Sequence, residues 1–206
     1  MEAVVTPAYL PSIYYMSWLL RQEKILFNTA ANYQKQTARN RASIYGANGK
    51  IDLNIPITHT KSEKRKKDAD AQIFKDEDWQ RQHWKSITSA YKSSPFFEFY
   101  EDDLRPFFIQ KHTQLMPFNI GLIHTLMTLL GSEIPQEVVF FDPKKHVPMV
   151  ALILSKKTKN PLLPPYKQVF DNKYGFISNL SCIDLLFNLG PESLDYLQDI
   201  NHEYLN

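Results

Sequence analysis

Residues 3–29, AVVTPAYLPSIYYMSWLLRQEKILFNT, decide the fold. Residues 3–6 read as a short buried strand ended by Pro7. From Ser12 the pattern changes: Ile13, Met16, Leu19 and Leu20 recur at three- and four-residue steps, one apolar helical stripe facing a core. Ser12 is the expected N-cap, and residues 21–24 form a solvated end. Residues 25–29 return as a second strand. Strand, proline turn, helix and strand make a βαβ-type unit, whose crossover favours a parallel sheet with its ligand crevice at the carboxyl ends of the strands. The loop carrying Tyr9 then borders that crevice.

The next segment, NYQKQTARNR at 32–41, sets Lys35, Arg39 and Arg41 among side-chain amides and one tyrosine, with no carboxylate. So many donors together want an anion, and Tyr9, Asn32, Lys35, Arg39, Asn40 and Arg41 are the candidate binding residues. The segment leads into IYGANGKIDLNIPI, where Asn48-Gly49 lies within apolar alternation. That predicts a hairpin at about 39–57. With 35–41 extended, Lys35, Thr37, Arg39 and Arg41 share one face as a cationic stripe. The competing reading is a charged edge strand that discourages aggregation.

Residues 59–72, HTKSEKRKKDADAQ, read as a solvated loop or as a lid over an anionic substrate. Asp78 is the expected cap of a helix running to about 93, with Trp79, His83, Trp84, Ile87, Ala90 and Tyr91 on its apolar face. The aromatic-rich segment 95–111 predicts a short helix, and 116–130 a longer one ended by Gly131. Strands are expected at 137–141 and 147–154, and a proline-rich tether at 156–168. A pair of helices closes the chain, the first capped by Ser178 or Asn179, with Gly190 as left-handed C-cap and Pro191 opening the second. The expected fold is α/β, one mixed domain over 1–206, with an N-terminal βαβ-type unit and C-terminal helices.

With 24 basic and 22 acidic residues the net charge is +2, too small for general adhesion to nucleic acid, so an anion site must be local. A single cysteine, Cys182, excludes an intrachain disulfide, and no CxxC or histidine-rich cluster offers a metal cage. No metal and no cofactor are expected. Apolar runs are too short to span a bilayer, and the two early prolines argue against an export signal, so a cytoplasmic location is expected. Phosphate-loop, nucleophile-elbow and zinc-protease motifs are missing. Two residues stand out as candidates for catalysis. His83 titrates near neutrality in its ordinary state, and Asp184 sits on the otherwise apolar NLSCIDLLFNLGPE. A buried carboxylate must be paired or hydrogen-bonded, so Asp184 also reads as a tie to an arginine or tyrosine.

Five segments together resemble the WbqC-like proteins, a bacterial family of surface-polysaccharide (O-antigen) gene clusters: PAYLPSIYY, NYQKQTARNR, ANGKIDLNIPI, DWQRQHWKSITSAYKSSPFFEFY and NLSCIDLLFNLGPESL. The resemblance covers nearly the whole chain. Pro7, Tyr9, Pro11 and Tyr15 match the family's opening motif, Lys35, Asn40 and Arg41 its cationic element, and Asp78, Trp79, Gln80 and His83 its helix start. Asp184, Asn188, Gly190 and Pro191 match its terminal signature. Two departures matter: the family's His-Gln falls on Val5-Thr6 and its acidic pair on Thr29-Ala30. The resemblance implies a transferase on an activated sugar or acyl donor, with a phosphate or carboxylate held by Lys35, Arg39 and Arg41 and chemistry from His83 or Asp184. The departures suggest the alternative, a non-catalytic protein binding an anionic glycan intermediate or a partner protein. No specific nucleic acid is expected, and the oligomeric state is open.

Overall fold

The computed structural model describes residues 1–58, 66–75, 78–153 and 161–201. β1 (Glu2–Val4), α1 (Ile13–Leu19) and β2 (Ile25–Asn28) form the βαβ unit that the sequence predicts. Val5 N–H donates to the Leu26 carbonyl and Asn28 N–H to the Val5 carbonyl, each at 2.9 Å, which joins the two strands in parallel. β5 (Gln136–Val139) pairs in parallel with β2, and β6 (His146–Pro148) with β1. The four strands therefore lie in the order β6-β1-β2-β5. The expected strand at 147–154 is a correction. It ends at Pro148, which has no N–H for a ladder, and a 3-10 turn Val150–Leu152 follows.

Ser12 caps α1 as expected, its Oγ accepting from Tyr15 N–H at 3.3 Å. Every residue of α1 is buried, because the sheet takes one side and the C-terminal helices the other. Ser17 Oγ donates to the Leu197 carbonyl at 2.6 Å, and Ile13 N–H to the Leu180 carbonyl at 2.9 Å.

The hairpin is β3 (Arg41–Gly46) and β4 (Gly49–Asn54), antiparallel, turning at Ala47-Asn48 with Gly49 at φ 99. α2 (Trp79–Tyr91) packs on it, and Tyr45 N–H donates to the Tyr91 hydroxyl at 3.0 Å. Asp78 makes no side-chain cap bond; its carboxylate lies 3.6 Å from Arg81 Nε instead. α3 (Phe97–Leu104) and the one-turn α4 (Pro106–Ile109) follow. α5 (Leu115–Leu129) ends as predicted at Gly131, φ 74, where Ser132 N–H reaches the Met127 carbonyl and Gly131 N–H the Thr128 carbonyl.

α6 (Asp171–Tyr174) precedes the closing pair α7 (Cys182–Leu189) and α8 (Ser193–Asp199). α7 starts later than the sequence suggests. Ser178 bonds the Leu163 N–H and the Pro161 carbonyl, while Asn179 adopts φ 55 and accepts from Tyr14 N–H at 2.9 Å. Both candidate caps are thus engaged with other segments, and Ser181 occupies the N-cap position. Phe187 joins the layers, its ring centroid 5.1 Å from those of Tyr91 and Phe97. Truncating so enclosed a ring costs about 3–5 kcal/mol.

Candidate functional site

Polar groups gather at the carboxyl ends of β1 and β2, where the chain leaves the sheet. Tyr15 hydroxyl donates to the Thr6 carbonyl at 2.9 Å, and Tyr9 N–H to the Ala38 carbonyl at 2.8 Å. Asn119, fully buried on α5, gives its side-chain amide to the Pro7 carbonyl at 3.1 Å and the Arg39 carbonyl at 2.8 Å. One side chain thus ties the Tyr9 loop to the basic segment. Leu10 is held at φ 36, a left-handed conformation costing on the order of 1–3 kcal/mol that only a well-determined surrounding can impose. Val5-Thr6 and Thr29-Ala30 stand at this same end of the sheet.

The basic segment is not an extended stripe. Residues 35–40 form turns, Gln36 at φ 58, and the strand begins only at Arg41. Thr37 organises this bend: its Oγ1 donates to the Gln34 carbonyl at 3.1 Å and accepts from Arg39 Nη1 at 3.3 Å. Arg39 turns inward to Asp68, Nε to Oδ1 at 2.7 Å. Asp68 N–H donates to the Ala31 carbonyl and Ala69 N–H to the Thr29 carbonyl, which docks that turn against the end of β2. The anion sought by the arginine-rich run is in part the protein's own. Asp68 lies at the end of the stretch read as a solvated loop or lid. Acids directly after a lysine run, Asp68 and Asp70, were the available signal, and spacing showed neither which one turns inward nor its partner. Of the stretch 59–72 read as loop or lid, residues 66–72 are described, with Asp68 and Ala69 docked by these bonds, and 59–65 lie outside the described residues.

Outside this buried pair, donors remain at the surface. Lys35 and Asn32 are exposed and Arg41 half-buried. Asn32 pairs through its backbone with Lys67, whose Nζ donates to Asn32 Oδ1 at 3.0 Å, and Tyr33 N–H donates to the Lys66 carbonyl at 2.8 Å. Tyr33 lies among these groups, its phenol pushed up to about 12 by burial against the opposing pull of Arg39.

His83 is buried on α2, its Nδ1 hydrogen-bonded to the Tyr9 hydroxyl at 2.7 Å. The Asn54 backbone carbonyl beside the ring favours the protonated form, but burial outweighs it. Burial lowers the imidazole to about 4, and the ring is neutral near pH 7. Asn54 Oδ1 in turn accepts from Asn40 Nδ2 at 3.1 Å and Arg41 Nε at 3.4 Å. Tyr9 and His83 thus form one hydrogen-bonded pair and Asn40, Asn54 and Arg41 another group, with Trp79 and Phe118 enclosing the Tyr9 ring.

Asp184 belongs to another network. Its fully buried carboxylate accepts from Tyr91 at 2.8 Å, Tyr166 at 2.5 Å and Gln168 at 2.9 Å. Gln168 also bonds Ile177 through both ends of its amide. Burial raises the Asp184 carboxyl, with the three donors opposing. Tyr91 and Tyr166 lie above the ordinary phenol range because they too are buried. From the sequence Tyr91 was read only as part of the apolar face of α2, and Tyr166 and Gln168 were not singled out.

Among the described residues no group of three or more His, Cys, Asp or Glu could hold a metal ion, and no helix is long and apolar enough to cross a membrane.

These features define a mixed α/β protein with a parallel sheet and a polar centre at its carboxyl edge. The chain belongs to the WbqC-like protein family, whose model matches residues 6–141. The match includes the Tyr9 loop, the basic segment and His83, and stops short of Asp184. The chain is 22% identical over 229 residues to the uncharacterized protein Rv1507c of Mycobacterium tuberculosis, covering 95% of this chain and 96% of that one. No solved structure matches.

Proposed function

We propose that this chain is a binding member of its family that recognises an anionic glycan intermediate of surface polysaccharide synthesis without turning it over. The observation that carries the reading is the contrast between enclosed and accessible groups. The titratable atoms of His83 and Asp184 are each buried and hydrogen-bonded within the protein, in separate networks. Lys35, Lys67 and Asn32 are exposed, with Arg41 half-exposed beside Tyr33. Lysine and arginine contacts to a phosphate or carboxylate are worth about 1.5–3 kcal/mol each, enough to hold an anion but not to transform it. Replacement of the family's His-Gln and acidic pair by Val5-Thr6 and Thr29-Ala30, at the carboxyl end of the sheet, points the same way.

The test is thermal-shift screening of nucleotide sugars, acyl thioesters and aminoacyl donors, with product formation followed by mass spectrometry. A nucleotide-sugar shift that disappears in Arg41→Ala, with no product formed, is expected. Turnover by the wild-type chain overturns the reading. It would favour instead a transferase using the Tyr9–His83 pair, a second reading that the 2.7 Å hydrogen bond between the Tyr9 hydroxyl and His83 Nδ1 supports.

A further inference from the structure

The parallel sheet has two outer strands, and the sequence treats them differently. β6 is three residues long and ends in Pro148, a common way to blunt an edge. β5 contains no proline and, among the described residues, pairs only with β2. Which backbone groups it leaves outward follows from Ile25, whose N–H donates to the Pro135 carbonyl at 2.8 Å. Alternate residues of a parallel strand bond the same neighbour, so 135, 137 and 139 face β2 while Gln136 and Val138 face outward. The same alternation, continued one step past the strand, turns Phe140 outward. Val138 is 53% exposed and Phe140 94%. Beside Gln136 lies a cleft of about 460 Å³, walled by His124 and Thr128 of α5 and by residues 131–136. Gln136 Oε1 is a buried acceptor there without a partner.

We propose that β5 is a self-association edge, on which two copies of the chain pair their β5 strands antiparallel about a two-fold axis through Val138. The register follows from the strand itself. For outward residues to exchange hydrogen bonds with outward residues, the axis must pass through 137, 138 or 139. Through 137, Glu137 would face its own copy, and like charges directly opposite destabilise a ladder. Through 139, Phe140 would oppose Val138 and miss the cleft. Through Val138, Glu137 opposes Val139 of the second copy, and Phe140 opposes Gln136. Each exposed phenylalanine ring then meets the cleft beside the other copy's Gln136. The exposed Lys144 and Lys145, a few residues beyond Phe140, are carried toward Glu133 on the cleft wall. A contact of this kind is self-complementary and closes at two copies. A five-residue ladder is smaller than the roughly 800 Å² per partner of standard stable interfaces, so the dimer is concentration-dependent.

Sedimentation velocity of the full chain over a wide concentration range tests this. The mass is expected to rise from 24.1 kDa toward twice that value. Val138→Pro removes an outward N–H without touching the β2 ladder, and Phe140→Ser alters a residue that supports nothing in the monomer. Both are expected to hold the chain at monomer mass with unchanged circular dichroism. Under oxidation Val138→Cys is expected to form a covalent dimer, since hydrogen-bonded antiparallel pairs place Cα atoms about 5.5 Å apart. Gln136→Cys is not, because its counterpart is displaced by about 14 Å along the strand. Cys182 is buried and does not compete. A monomer at every concentration, a dimer that survives both Val138→Pro and Phe140→Ser, or equal cross-linking of the two cysteine variants would each overturn the proposal.

Discussion

Arg39 Nε donates to Asp68 Oδ1 at 2.7 Å, with the two side chains 6% and 0% exposed. The pair joins the turn after the Tyr9-contacting residue Ala38 to the turn docked on the end of β2. Taking one member away leaves an uncompensated buried charge. Asp68→Ala is therefore expected to cost about 3–5 kcal/mol, measured by urea unfolding. The double variant Arg39→Met/Asp68→Leu, which replaces both charges by apolar volume, is expected to recover most of that loss. Equal destabilisation by the single and double variants would mean that packing, not charge, decides the site.

Stability is expected to fall in acid because of His83. Its ordinary value is 6.5, and burial holds it at about 4 in the folded chain. Between these values the unfolded chain binds a proton that the folded chain refuses, so protonation favours unfolding. The contribution of neutral His83 is fully present above 6.5 and is lost as pH falls toward 4. A shift of this size corresponds to about 3 kcal/mol. Urea midpoints at pH 7, 5.5 and 4 should decline less steeply in His83→Gln than in the wild type. Parallel slopes would remove His83 from the account.

What the sequence revealed was largely local. Apolar spacing and the Ser12 cap defined the βαβ unit because each signal acts within a turn or two of its own residue. The hairpin and Gly131 were legible for the same reason. The 35–41 bend was not, since period-two alternation of basic residues looks the same whether or not Thr37 folds the chain back on itself. Asp68 was hidden because its partner, Arg39, lies far along the chain. The dual reading of Asp184 rested on a rule of burial, and the tyrosine option matches Tyr91 and Tyr166, but no pattern named them. Connections between His83 and Tyr9, or Asn119 and Pro7, are properties of the packed fold and leave no periodic trace.

Gly190 ends α7 at φ 56, and a Cβ added there would stand 2.5 Å from the Phe96 ring. Two costs then act together, the left-handed backbone of about 1–2 kcal/mol and crowding of about 1–3 kcal/mol. Gly190→Ala is expected to lower stability by more than about 2 kcal/mol in urea unfolding. Adding Phe96→Leu should return the crowding part and leave the backbone part. No recovery in that double variant would assign the whole loss to the backbone.

Asp184 is expected to act as the anchor of the segment 161–178. Three donors converge on its carboxylate, two of them, Tyr166 and Gln168, from that segment, while Tyr91 brings in α2. Tyr45 adds a second fastening, its hydroxyl donating to the Gly175 carbonyl at 2.7 Å. Asp184→Ala strands all three donors in the interior, and bonds to a charged acceptor are worth about 1.5–3 kcal/mol each, so a loss above about 3 kcal/mol is expected. Asp184→Asn keeps the shape and one acceptor, and should lose less. The two variants also differ from the wild type in pH dependence. Burial raises the Asp184 carboxyl above its ordinary 3.8, so its contribution is greatest below that value and declines as pH rises through the folded value. Neither variant retains that decline. If the anchor reading is right, Asp184→Ala exposes Lys167 and Lys173 to trypsin faster than the core lysine sites, with α7 still helical by circular dichroism. Cleavage at these lysines no faster than in the wild type would show that Tyr45 and the rest of the packing hold the segment without Asp184.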